Sequence, residues 1–342
     1  MAYTTIKKPS EHFNTKLYTG NGSSQDITGL DFQPDFCWFK RRDTGAANHA
    51  LQDAVRGVTK FIQSNTTAAE ATSSNYLTSF NSDGFSLAGD GDVNENNANH
   101  VAWNWKANGA GVANTDGTIS STVSANTTSG FSIVSYTGTG ANATVGTGLG
   151  ATPAMIIVKD RTSGTALWCV YHKSLGTNQN IYLNLTNTVD TPSPEIYRTA
   201  SMTDNVFAIG SHGRINTSSN NYIAYCFAEK QGYSKFGSYT GNGSTDGTFV
   251  YTGFKPAFVM TKRTDTTNSW EIQDSTRSDF NVCNEGLYPD LTNAEGDADR
   301  YDLLSNGIKM RTSGGMNASG GSYIYMAFAE QPLVGNNPAT AR

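Results

Sequence analysis

The chain has 342 residues, with 24 Lys and Arg against 29 Asp and Glu and a formal net charge of −5. It therefore lacks the clustered basic surface that a nucleic-acid backbone demands, and nucleic acid is not an expected partner. Only 15% of residues are charged and 37% are hydrophobic, with Gly, Ser, Thr and Asn in every segment, which favours short strands and many turns over helices, and no 18-residue apolar run suggests membrane insertion.

Residues 1–12 form a polar arm without periodicity, read as flexible or as an attachment segment carrying Tyr3, Ile6, Lys7 and Lys8. Next comes a phrase that the chain repeats. Tyr18-Thr-Gly-Asn-Gly22 leads to Pro34 and Lys40-Arg41, and Tyr136-Thr-Gly-Thr-Gly140 leads to Pro153, Lys159 and Arg161. Tyr239-Thr-Gly-Asn-Gly243 leads to Pro256 and Lys262-Arg263. Pro to Lys is six residues each time, and Tyr to Pro is 16, 17 and 17. Constant spacing around changing residues means one shape built three times. The reading is an all-β chain of three tandem antiparallel β-sandwich copies at residues 13–107, 131–231 and 232–331. A Gly/Ser/Thr/Asn-rich linker or edge strand fills 108–130, with Thr118 to Val123 as its strand candidate, and a tail follows at 332–342.

Within the first copy, Phe36-Cys-Trp-Phe39 reads as a strand covered on both faces. Leu51, Val55, Val58 and Ile62 have the spacing of an amphipathic helix, but the second copy has a strand, turn and strand at the same place (Trp168 to His172, then Asn180 to Leu185), and Gly57 interrupts the helical pattern. A hairpin is expected. Asp83-Gly84, Asp204-Asn205 and Asn306-Gly307 then mark tight two-residue turns through their tolerance of positive φ. Each copy closes on a strand of strict alternation: Val101, Trp103, Trp105; Ile223, Tyr225, Phe227; Ile324, Met326, Phe328. Its large apolar face is expected to point into a core. Cys37 aligns with Ile156 and Cys226 with Ala327, so the four cysteines, with Cys169 and Cys283, read as small buried thiols.

Candidate chemistry is sparse. Asp90, Asp92 and Asn94 lie in an Asp-rich loop like the first half of a calcium site, although Val101 stands where its bidentate glutamate belongs, and a polar turn is the blander reading. Lys40, Lys159 and Lys262 recur as a row of one per copy, either facing a carbohydrate or serving as solvated charges at strand ends. Trp168 and Trp270 could stack on sugar rings, whereas Trp103 and Trp105 fall on core positions. The five histidines never recur together and no nucleophile, phosphate-binding or zinc motif occurs, so no catalytic residue, cofactor or metal is expected. Asp53 and Glu70, with weak counterparts at Asp274, Glu195 and Glu295, could pair as in a glycosidase but read as structural.

The opening Met-Ala-Tyr-Thr-Thr-Ile, His12-Phe-Asn14, Tyr18 to Gly22, Val55-Arg-Gly57, Ser79 to Phe85, Val101 to Lys106, Tyr222 to Glu229 and Tyr323 to Glu330 resemble the repeated modules of marine tailed-phage virion proteins. The resemblance spans nearly the whole chain. It implies jelly-roll, concanavalin A-like or LamG-like lectin modules in a virion, as a tail or capsid fibre touching the host or as a decoration protein. By the same implication the partners are other virion proteins and a host-surface glycan, and the chain forms a homo-oligomer, a trimer by analogy. The family supplies no catalytic or sugar-binding residues to carry across.

Overall fold

The computed structural model describes residues 4–43 and 47–333. Among these residues the protein is all-β, with six antiparallel sheets and only one-turn helices between strands. The strands of residues 13–105 form a six-stranded and a three-stranded sheet, those of 112–227 a seven-stranded and a two-stranded sheet, and those of 234–332 two four-stranded sheets. The main sheet of each copy places its first strand beside its closing strand, and the closing strand beside the Pro-to-Lys strand: Phe13–Thr19, Asn99–Trp105 and Phe36–Arg41; Phe131–Thr137, Asn221–Phe227 and Met155–Asp160; Ser234–Thr240, Ser322–Pro332 and Phe254–Arg263.

The hairpin expected at Leu51 to Ile62 is present, as Ala50–Asp53 paired with Lys60–Gln63 in the register Leu51↔Ile62, and Gly57 takes φ +89° in its turn. The later turns are shifted by one residue from the expected pairs. Asn81 pairs with Gly84 and Leu304 with Gly307, so Ser82-Asp83 and Ser305-Asn306 form the two-residue loops. The glycines are needed for a different reason than turn conformation alone. A Cβ on Gly84 would lie 1.9 Å from the Ile27 carbonyl, and one on Gly307 2.3 Å from that of Val250, because the neighbouring strand passes directly over them. The linker holds two strands, Val112–Asn114 and Ser121–Asn126, so its main strand begins three residues later than expected.

Both faces of the closing strands are buried, and they serve different cores. Ala102, then Tyr222, Ala224 and Cys226, then Tyr323, Tyr325 and Ala327 pack against the small sheet of their own copy. The large residues Trp103, Trp105, Tyr225, Phe227, Met326 and Phe328 instead enter one cluster common to all three copies. At its centre the equivalent residues Trp105, Phe227 and Phe328 touch each other, with ring centroids 6.3, 5.8 and 5.9 Å apart. The three copies surround this aromatic triangle. All four cysteines are free and buried, as their alignment with apolar residues requires.

The arm is built into the body from Thr4 onward. Ile6 is 2% exposed within the shared core, Pro9 is buried at the start of a single 3-10 turn, and Lys8 pairs with Asp31 at 3.0 Å. A free attachment segment is thus corrected for residues 4–12, while Tyr3 lies outside the described residues. The third copy's closing strand continues to Pro332, and of the expected tail residues 334–342 lie outside the described residues.

Candidate functional site

The repeated Tyr-Thr-Gly phrase is one half of a lock. The other half is an asparagine that ends a one-turn helix just before the closing strand: Asn94, Asn216 or Asn317, each wholly buried. Its Oδ1 accepts from the backbone N–H of Asn21, Thr139 or Asn242 at 3.0, 2.8 and 3.1 Å. Its Nδ2 donates to two loop carbonyls: Ser23 and Ala88, Ala141 and Gly210, or Ser244 and Thr312, all within 2.6–2.8 Å. The tyrosine hydroxyl of the phrase donates to the residue before that asparagine, Val93, Ile215 or Met316, at 2.6–2.8 Å. The glycine after Tyr-Thr is needed for contact: a Cβ on Gly20, Gly138 or Gly241 would fall 2.2–2.3 Å from a carbonyl of the opposing loop. The motif is a fastening within each copy.

The recurring lysines fasten one copy to the next. Lys40, Lys159 and Lys262 have no exposure, which corrects both a glycan-facing row and solvated strand ends. Lys40 Nζ donates to the carbonyls of Ala47 (2.7 Å) and of Thr292 in the third copy (2.9 Å). Lys159 Nζ reaches Asp160 (2.7 Å) and Thr67 of the first copy (3.2 Å), and Lys262 Nζ reaches Asn268 (2.6 Å) and Thr186 of the second (3.1 Å). First to third, third to second and second to first, the donations close a ring. Burial pushes all three ammonium groups down to about 8.

Trp168 and Trp270, the proposed sugar platforms, are 0% and 1% exposed. Their indole N–H groups cross the same junctions, from Trp168 to the Gln63 and Thr66 carbonyls at 3.1 and 3.2 Å, and from Trp270 to Tyr182 O at 2.7 Å. No face is left for a sugar ring. The first copy has His49 at the equivalent place, also fully buried and accepting from Trp38 Nε1 at 2.9 Å.

The paired carboxylates are likewise internal. Asp53 and Arg56, both side chains without exposure, form an ion pair at 2.5 Å, and Tyr225 of the second copy donates to Asp53 at 2.9 Å. Glu70 bridges Arg56 (3.3 Å) to Arg161 of the second copy (2.8 Å), and these guanidinium groups hold its carboxyl below the usual range against its burial. The third-to-first junction repeats the design. Asp274 pairs with Arg277 and accepts from Trp103 Nε1 at 2.9 Å, while Glu295 bridges Arg277 to Arg42 of the first copy. At the second-to-third junction His172 replaces the aspartate and contacts the Tyr325 carbonyl at 3.1 Å; burial lowers its imidazole to about 4. These carboxylates bind arginines, not a substrate.

The calcium reading fails on donor geometry. Asp90 caps its helical turn through Asp92 N–H, Asp92 accepts from Asn48, Gln63 and Tyr76, and Asn94 belongs to the lock above. Their oxygens face protein donors rather than one another, and among the described residues no group of three His, Cys, Asp or Glu side chains could hold a metal ion.

One concave feature lies at the third-to-first junction, a cavity of about 260 Å³ lined by Ser10, Asn14, Thr15, Ser275, Thr276 and Glu330 among others. It exists because Thr15 stands where the other copies have Ile133 and Phe236, which pack into the shared core. The Thr15 hydroxyl is buried there without a hydrogen-bond partner. Sequence reading missed this site, yet its signal was available: one threonine in an alternating apolar position that is otherwise isoleucine or phenylalanine.

Among the described residues no helix is long and apolar enough to cross a membrane. Compared with known families, residues 8–332 match the one described as Domain of unknown function (DUF7483). No curated protein matches the chain.

Proposed function

We propose that this chain, which belongs to the DUF7483 family over residues 8–332, serves as a non-enzymatic structural component of a phage particle, a rigid fibre or appendage module. The observation that carries the reading is the use of the recurring polar side chains. The asparagines that repeat are consumed in fastening each copy internally, and the lysines, tryptophans and carboxylates in holding the copies together, the economy of a building block rather than of a catalyst. The resemblance of the repeated phrases to tailed-phage virion modules supports the location, and in the finer form of this reading each copy is a jelly-roll, concanavalin A-like sandwich. The packing of Ile6 weighs against a decoration protein that docks through residues 4–12. Locating the chain on intact particles, by immunogold labelling or by fitting the structure to particle density, tests the proposal. Particles that carry none of it overturn it.

A second reading, attachment to a host-surface glycan, has support from the polar cavity at Thr15 rather than from the buried tryptophans. A glycan array compares the native chain with Thr15→Ile, which fills the cavity as Ile133 does in the second copy. Glycan binding that the substitution abolishes supports attachment through this cavity, and equal binding by both removes it.

A further inference from the structure

The second and third copies differ in what lies along one edge. In the second copy the linker closes it. Ser121–Asn126 pairs antiparallel with the first strand Phe131–Thr137, and Val123 is 4% exposed. Just upstream, the Ile119 N–H donates to the Thr144 carbonyl at 3.0 Å, and Thr118 exchanges two bonds with Thr144, at 2.9 and 2.8 Å. One extended segment thus covers the edges of both the large and the small sheet.

In the third copy the corresponding strands, Ser234–Thr240 and Phe249–Tyr251, are each the last strand of their sheet; Lys230 O and Glu229 Oε2 accept from the Ser234 and Phe236 N–H groups at 2.9 and 3.4 Å, and beyond Phe236 no strand lies beside them among the described residues. Matching Val145 to Val250 by their pairing to Phe207 and Ile308 puts Phe249 in the place of Thr144 and Tyr251 in that of Gly146. Both aromatic side chains are open to solvent, at 44% and 53% exposure. The first copy carries Asp26 and Thr28 at these positions. Polar and charged residues of that kind guard an edge strand against pairing, and aromatic ones do not.

We propose that this edge of the third copy receives an extended segment of another protein by strand addition, antiparallel to residues 237–240, with Phe249 and Tyr251 packing on its side chains. The second copy shows what the segment must be: uncharged, rich in hydroxyl and β-branched residues, with an apolar side chain turned to the core as Ile119 and Val123 are. Main-chain hydrogen bonds supply the affinity and the two aromatic rings the selectivity. Within this chain the segment of that kind, residues 112–126, is itself engaged in the second repeat. The site is separate from the Thr15 cavity and does not depend on where on a particle the protein resides.

The test uses the full chain and a synthetic peptide of residues 116–126 as the probe, with amide hydrogen exchange as the readout. Peptide should slow exchange across residues 237–240 and 249–251, and a scrambled peptide should not. Phe249→Asp with Tyr251→Asp should weaken the protection at least about tenfold in peptide concentration, read well below the thermal midpoint of the variant because the Phe249 ring also rests on Gly307. No protection at millimolar peptide, or equal protection in the double variant, overturns the proposal. So does a dimer in sedimentation equilibrium that the double variant abolishes, because the edge would then belong to a second copy.

Discussion

Asn216 binds the backbone N–H of Thr139 and the carbonyls of Ala141 and Gly210 from a site with no solvent exposure. Removing it leaves buried groups without partners, so Asn216→Ala should cost about 2–4 kcal/mol in urea denaturation. The buried lysines give a pH signature. Each titrates at about 8 in the folded chain, whereas an unfolded lysine titrates at about 10.4. Between these values the unfolded chain binds more protons, so their contribution is complete above the unfolded value and is lost as pH falls through 8. The buried thiols of Cys37, Cys169 and Cys226, raised by burial, act in the opposite sense over the same range, so the lysine contribution is read as a difference: from pH 8 to pH 10 the urea midpoint of the native chain should rise relative to that of the combined Lys40→Met, Lys159→Met and Lys262→Met variant. At this scale the sequence was only half legible. The fixed Pro-to-Lys spacing picked out the right lysines, but a charge at a strand end looks solvated until a carbonyl from a distant segment arrives, 252 residues away for Lys40 and Thr292. The same holds for Trp168 and Trp270, whose burial comes from residues of the preceding copy.

Strands were easier to read than side-chain roles because alternation and turn residues are local. The hairpin at Leu51 to Ile62 was recoverable against a helical spacing only because the second copy showed a strand, turn and strand at the matching place. The loop-to-loop fastening was not, since Tyr18 donates to the Val93 carbonyl and Asn94 accepts from the Asn21 N–H across 70 or more residues. It makes a sharp demand on Gly138, where a Cβ would lie 2.3 Å from the Thr217 carbonyl. Gly138→Ala should destabilise by about 1–3 kcal/mol as the two loops are forced apart. Gly150→Ala provides the contrast: that glycine, unlike Gly138, has positive φ, at +61°, and no atom lies within 4 Å of an added Cβ, so it reports backbone strain without a clash. Thermal melts of both variants should show the larger loss at Gly138.

The whole molecule has a core that none of its copies owns. Trp105, Phe227 and Phe328 come from three different copies and pack on one another, so no copy can unfold without exposing part of the other two. Calorimetry should show one transition, with calorimetric and van't Hoff enthalpies equal, where three independent sandwiches would show several. Trp105→Ala should lower that single transition, at a cost of about 3–5 kcal/mol, without splitting it. Repetition in the sequence revealed that there are three copies. The short join from Lys230 to Lys235 pointed to packing of the second and third copies, but the closed arrangement of all three was not legible, because beads on a string and a closed ring share the same internal spacing and differ only in where their large side chains point.

The circular donation from Lys40, Lys159 and Lys262 has a bearing on ancestry. A linear array can gain or shed a unit at either end and keep every remaining neighbour, so its length is free to drift among descendants. Here a lost unit would deprive one ammonium group of its acceptor in the next unit and a fourth would find no vacancy around the aromatic triangle. Once the circle had closed, the number three could no longer change by single duplications.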